Sequence, residues 1–226
     1  MKRKYISKFS DISLDDIDKV GGKNASLGEM INNLSALGIN VPDGFATTSE
    51  AYKLFIESNN IDDKIQKILN ELDLDSIKDL ANAGKAIRRL ILKATIPEEL
   101  EEQIFLVYKN LTKGSELSFA VRSSATAEDL PSASFAGQQE TYLNITGFKN
   151  LLEAMQKVYA SLYTDRAISY RAHQGFDNLD VSISVGFQRM VRSDQGASGV
   201  MFTLDTESGC EDCLLYTSDA ADDSLR

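Results

Sequence analysis

A chain of 226 residues with a net charge of −10 is a poor match for nonspecific nucleic-acid binding, which needs an electropositive surface. No apolar run approaches the ~18 residues of a membrane span, and no apolar stretch of signal-peptide length follows the basic start Met1-Lys-Arg-Lys-Tyr-Ile6. With 42% hydrophobic residues the chain can bury a sizeable core in one or two domains, and its two cysteines make no disulfide framework, so the expectation is a soluble cytoplasmic protein.

In chain order, Tyr5 to Phe9 reads as a strand. Val20-Gly-Gly-Lys-Asn-Ala-Ser-Leu-Gly-Glu-Met30 leads into a helix, because Leu27, Met30, Ile31, Leu34 and Leu37 fall on one face at three- and four-residue spacing. Asn24 is read as its N-cap, and Gly38 ends it. Val41-Pro-Asp-Gly44 is a turn, followed by a strand at Phe45 to Thr47 and a helix capped by Ser49 that runs through Ser58. From Ile61 to Lys93 the residues are helix formers with charged faces. Pro97, Glu98 and Glu99 open another helix with Leu100, Ile104 and Val107 as its buried stripe. This block, about 61–110, carries no motif and reads as a solvated helical insert forming a small subdomain.

Phe119 to Val121 form a short buried strand that gives out at Arg122, and Tyr142 to Ile145 make the return strand. Phe148, Leu151, Leu152, Met155, Val158, Tyr159 and Leu162 mark the clearest amphipathic helix. Val181, Ile183, Val185 and Phe187 alternate with Ser182, Ser184 and Gly186, the period of a strand, and Val200, Phe202 and Leu204 alternate again. The organisation is α/β, of the α+β kind.

Two segments carry chemistry. Gly21 and Gly22 let the backbone come close to a ligand, the helix start carries partial positive charge, and Lys23 adds a full one. This is not a Walker A loop: its first glycine would fall at Ile17, and Asn24 stands where that motif has Ser or Thr. The second segment, Phe119 to Asn144, is a strand, a loop of small and hydroxylated residues, and a return strand. That combination suits a cover over a polyphosphate, with Arg122 as a planar charged fork. A polar surface hairpin and a glycine turn before a helix are each ordinary; the pair is what points to a nucleotide.

Together these segments resemble the N-terminal part of the ATP-binding domain of the phosphoenolpyruvate synthase (pyruvate, water dikinase) family. Its relatives are pyruvate phosphate dikinase and the rifampicin phosphotransferases. The resemblance runs from about Val20 to Gly209. It includes Val41-Pro-Asp-Gly-Phe-Ala-Thr-Thr48, Leu162-Tyr-Thr-Asp-Arg-Ala-Ile-Ser-Tyr-Arg171, Gln188-Arg-Met-Val-Arg-Ser-Asp194 and Ser198-Gly-Val-Met-Phe-Thr-Leu-Asp-Thr-Glu-Ser-Gly209.

The resemblance implies an ATP-grasp-like fold, of which this chain covers the first lobe and the start of the second. It implies conversion of ATP, pyruvate and water to AMP, phosphoenolpyruvate and phosphate through a phosphohistidine in a separate, later domain. By the same resemblance Lys23 and Arg122 act on the polyphosphate, Gly137 and Thr141 line the loop over it, and Gln188, Met190 and Val191 form the adenine-facing hinge. Magnesium is needed, pyruvate is reached only through other domains, and a homo-oligomeric full-length protein is compatible with the family. The alternatives are the same lobe from a rifampicin-type phosphotransferase, or a nucleotide-binding module that is not an enzyme.

His173, the single histidine, sits near the end of a probable helix and not in the phosphohistidine context, so it reads as a helix-end residue. Arg166 and Arg171 are expected to hold that helix to neighbouring carboxylates. Cys210-Glu-Asp-Cys213 lacks the second ligand pair of a zinc site. From Cys210 the motif resemblance gives out, and residues 210–226 read as a tail foreign to the family, from a frame, cloning or assembly error. The metal ligands of the second lobe, the phosphohistidine domain and the pyruvate-binding barrel are expected to be missing, leaving the fragment inactive alone.

Overall fold

The computed structural model describes residues 5–74, 76–125, 140–173, 182–202, 204–205 and 215–218, and it divides into two units, Met1–Met190 and Val191–Arg226. In the first unit, strands β1 (Ile6–Lys8), β2 (Gly44–Thr47), β3 (Ser118–Ala125), β4 (Thr141–Thr146) and β5 (Ile183–Arg189) form one sheet in the order β1-β2-β5-β3-β4. Every neighbouring pair is antiparallel.

The period-two pattern of β5 gives this sheet two unlike faces. Residues directly opposite one another share a face. Val121 pairs with Phe187 and Ser123 with Val185 on one side, while Ala120 pairs with Gln188, Arg122 with Gly186 and Ser124 with Ser184 on the other. The first face is apolar, and Phe45 stacks on Phe187 with ring centroids 4.7 Å apart. Helices α2 (Ser49–Ser58), α4 (Ile77–Lys93), α5 (Glu98–Thr112) and α6 (Phe148–Ser161) cover it, and α6 buries Leu151, Leu152, Met155, Val158 and Tyr159 there. The second face carries small and polar side chains. Helix α1 (Ile17–Leu34) lies on it through a lesser cluster of Phe9, Ile12, Val20, Ala25, Leu27 and Ala46.

Several expectations change. The first strand stops at Lys8, and Phe9–Asp11 turn into a 3-10 helix whose Phe9 is buried. Ser49 is the first residue of α2, and Thr48 holds the N-cap position. Helix α3 (Asp62–Asn70), α4 and α5 do not close a core of their own. Ile65, Ile87, Ile91, Leu100 and Ile104 join the cluster that covers the sheet, because each helix has an apolar stripe that only the sheet and α6 can bury. Val107 is half-buried. The stripe of α1 is used in part: Leu27 is buried, whereas Met30 is 39% exposed and Leu37, in the 3-10 helix Ser35–Leu37 that follows, is 74% exposed. Val181, Gly137, Cys210 and Cys213 lie outside the described residues.

Helix α7 (Asp165–His173) docks through a buried aromatic group. The Tyr52 and Tyr163 hydroxyls are 3.1 Å apart, and the Arg171 guanidinium, 2% exposed as a residue, lies 5.4 Å from the Tyr163 ring centre. His173 ends the helix, exposed, with Nδ1 2.7 Å from the Ser169 carbonyl. Arg166 is exposed, and the neighbouring Asp165 is paired instead with Arg88 at 3.1 Å. In the second unit β6 (Gly199–Phe202) and β7 (Leu215–Ser218) pair as an antiparallel ribbon, and Val200 and Phe202 are 48% and 40% exposed. Among the described residues no helix is long and apolar enough to cross a membrane.

Burial pushes the Tyr52, Tyr159 and Tyr163 hydroxyls above their ordinary range. A phenol whose folded-state pKa is raised stabilises the fold fully below its unfolded value, about 10, and loses that contribution as pH climbs toward the raised folded value. Urea-unfolding midpoints are therefore expected to stay level as far as tyrosine is concerned from about pH 7 to 9 and to fall above about pH 10. At neutral pH, Phe187→Ala is expected to cost roughly 3–5 kcal/mol in the same assay, the range for emptying a buried aromatic site.

Candidate functional site

The site is built where α1 crosses the polar face of the sheet. The helix is not continuous: the chain is helical from Ile17, breaks at Gly21 with φ 73° and ψ 160°, and resumes at Gly22. A backbone at those angles is open essentially to glycine. A Cβ at Gly21 would also stand 2.3 Å from the Ser124 hydroxyl and 2.5 Å from its carbonyl oxygen, so the break seats directly on β3.

Asn24 consequently does not cap the helix, because the turn is already formed when the chain reaches it. Its side-chain amide instead donates to the Val20 carbonyl at 3.0 Å and to the Ser184 hydroxyl at 2.9 Å. Its backbone N–H donates to the Ser124 hydroxyl at 3.3 Å. The Ser184 hydroxyl in turn donates to the Thr47 carbonyl at 2.5 Å, and the Thr47 hydroxyl accepts from Val185 N–H at 2.9 Å. Asn24, Thr47, Ser124 and Ser184 are all buried. This network is the part of the site that sequence reading misses. The small residues Ser182, Ser184 and Gly186 on one face of a strand are the signal that something other than an apolar side chain packs there.

With the break and the network in place, Lys23 is carried to the exposed side of the helix start. A cavity of about 460 Å³ opens beside it, walled by Ile17, Leu27 and Met30, with Gly22, Lys23, Asn24 and Ser26 from the helix and Arg122 from β3. The two cations singled out from sequence thus face one space. Arg122 is exposed, and its Nη1 donates to the Gln188 Oε1 at 3.3 Å, while Gln188 Nε2 donates to the Pro42 carbonyl at 3.4 Å. Thr141 stands directly opposite Arg122 on β4 and is exposed.

Lys23, Arg122, Thr141 and Gln188 therefore gather at one corner of the polar face. Met190 is half-buried and does not line the cavity, and its N–H is taken by the Ser118 carbonyl at 2.9 Å. A base approaching this segment would have to use other backbone groups. Val191 is 64% exposed and belongs to the second unit. Gly137 lies outside the described residues.

The arrangement suits an anion with several negative oxygens. A full charge near the surface is worth about 4 kcal/mol at 4 Å in an effective dielectric of 20, against about 0.3–1 kcal/mol for a helix end. The two side chains, not the helix dipole, dominate the attraction. Magnesium finds no group of three or more His, Cys, Asp or Glu side chains that could hold it among the described residues. A separate cavity of about 500 Å³ is lined from α4, β4, α6 and α7. Of the cations that line it, Arg88 pairs with Asp165 and Lys157 lies 5.8 Å from the Tyr142 ring centre, Arg166 is exposed, and the residues assigned to the nucleotide site from sequence do not line it.

The sequence pattern of the pyruvate phosphate dikinase AMP/ATP-binding domain matches residues 17–219. The chain belongs to that family. The matched span begins at the first residue of α1 and extends ten residues beyond Gly209, to Asp219. Among curated proteins the chain is 53% identical over 221 residues to the phosphoenolpyruvate synthase of Neisseria meningitidis, with 96% of this chain and 28% of that protein covered. It is 52% identical over 211 residues to the phosphoenolpyruvate synthase of Escherichia coli, covering 93% of this chain and 27% of the relative. With that of Aquifex aeolicus the identity is 55% over 213 residues, 93% of this chain and 25% of the relative. The chain thus spans about a quarter of the length of the relatives it matches.

The family's nucleotide domain here rests on one backbone break, which a substitution can test. Gly21→Ala should cost roughly 3 kcal/mol or more in equilibrium unfolding, from forbidden backbone angles and collision with Ser124 together. Gly38→Ala, at φ 80° with nothing within 4 Å of the added carbon, should cost only about 1–2 kcal/mol.

Proposed function

We propose that this chain is the ATP-binding portion of a phosphoenolpyruvate synthase. The full-length reaction turns ATP, pyruvate and water into AMP, phosphoenolpyruvate and phosphate. The observation that carries the reading is the meeting of Lys23 and Arg122, from α1 and β3, at one cavity beside a helix start, in a chain about half identical to proteins of that name.

Lys23 and Arg122 hold the polyphosphate and neutralise charge that builds as the β-phosphoryl group leaves for a histidine in a separate domain, with release of phosphate. Such chemistry is mostly positioning and charge neutralisation. Thr141 and Gly137 border the phosphates, and Gln188, Met190 and Val191 form the adenine-facing segment. The hydrogen bond from Arg122 to Gln188 supports a continuous line from base to phosphate. Magnesium would add charge neutralisation at the phosphates, and among the described residues no group of three or more His, Cys, Asp or Glu side chains would hold it. In fold terms residues 1–209 are the first lobe of an ATP-grasp-like domain with the start of the second, 61–110 being its helical part. The full-length protein acts in the cytoplasm, with ATP and pyruvate as its partners and neither nucleic acid nor membrane among them.

Titration of ATP followed by NMR, which reads weak binding, tests the site in this chain. Lys23→Ala and Arg122→Ala should each weaken binding roughly 10-fold or more, the scale of one charge-assisted contact. Unchanged affinity in both variants would refute the assignment. The chain alone should form no phosphoenolpyruvate in a coupled assay. Introduced into a full-length protein of this family, either substitution should slow the ATP half-reaction roughly 10²-fold while phosphohistidine–pyruvate exchange is untouched. Equal slowing of both halves would mark the residue as structural.

A further inference from the structure

We infer that Asn24 is a positioning residue for nucleotide binding: its buried amide sets the Lys23 ammonium against Arg122. The inference rests on the reading that these two cations hold the polyphosphate. Lys23 is joined to the sheet by its neighbour on the chain, because Asn24 is the residue whose side chain and backbone N–H both reach across to strands. The amide spans Val20 before the break and Ser184 on β5, and the N–H reaches Ser124 on β3. Ser124 lies two residues beyond Arg122 on the same strand and the same face. One residue thereby ties the segment that carries Lys23 to the strand that carries Arg122.

Gly186, the register partner of Arg122, completes the seat. A Cβ there would stand 2.3 Å from Asn24 Oδ1, and the next two nearest atoms, at 3.2 and 3.5 Å, also belong to the Asn24 amide. The strand is thus bare at the point where the amide enters. An asparagine of this kind supplies two donors and an acceptor in one plane, which no hydroxyl or aliphatic side chain reproduces. A structural polar residue would serve equally well anywhere in the core. This one sits next to a proposed ligand-binding lysine and beneath a proposed ligand-binding arginine.

The test is a double-mutant cycle on ATP affinity, read by NMR titration of the 226-residue chain, with folding checked by near-ultraviolet circular dichroism. Asn24→Ala should weaken ATP binding roughly 10-fold, yet lower it little further when Lys23 is already alanine, because the amide acts through the lysine. Gly186→Ala leaves Asn24 chemically intact but displaces it, and should reproduce the loss. Ser184→Ala removes one partner, should weaken binding about 3-fold, and carries the test if Asn24→Ala does not fold. The inference is overturned if folded Asn24→Ala or Gly186→Ala binds ATP as the parent does, or if the Asn24 and Lys23 losses simply add. If Lys23→Ala alone binds as the parent, the underlying reading fails and this inference falls with it. If Lys23→Ala weakens binding while Asn24→Ala does not, the reading stands and only this inference is lost.

Discussion

A single buried asparagine, through its side-chain amide and its backbone N–H, joins three stretches of chain that are far apart in sequence: the broken helix start at Val20 to Asn24, the strand end at Ser124 and the central strand at Ser184. A buried polar group costs roughly 1–3 kcal/mol when left without partners, so the network holds only if all its members are present together. That requirement fixes the rotation and depth of α1 on the sheet. Apolar contacts such as those of Leu27, Ala25 and Val20 are non-directional, whereas hydrogen bonds to two serine hydroxyls are directional. Cavity, cations and helix start all inherit their geometry from it.

The two faces of the sheet divide the labour. The apolar face, with Phe45, Phe119, Val121, Val185 and Phe187, gathers the helices and supplies most of the buried area. It can be covered without regard to function. The polar face has little apolar surface to offer, and its glycine and serines let a helix backbone come close. Close approach is what brings Lys23 and Arg122, from remote parts of the chain, to one cavity. Their charge matters more because the chain as a whole carries −10. An anionic ligand repelled by the general surface is attracted where cations are concentrated.

The helices of 61–110 show how tertiary context redirects a local pattern. Their charged faces read as solvated, and the faces opposite them carry isoleucines spaced for burial. Nothing in the local sequence says whether such stripes meet one another or a sheet. The sheet's apolar face is too wide for α2 and α6 alone, and Ile65, Ile87, Ile91, Leu100 and Ile104 complete its cover.

The residue order by itself determined the strands and helices whose period is strong: the alternation at Ile183 to Phe187, the stripe of α6, and the Gly38 helix end. It also singled out Lys23 and Arg122, from a glycine pair before a basic helix start and from an arginine read as a strand end, although β3 runs on past Arg122 to Ala125. Tertiary structure decided the rest. Only the fold could say that Gly21 takes a conformation closed to other residues, that Asn24 turns inward to the sheet instead of capping its helix, and that Gln188 meets Arg122. Each of these depends on an atom contributed by a segment more than sixty residues away, and periodicity, capping preference and composition are all blind to such partners.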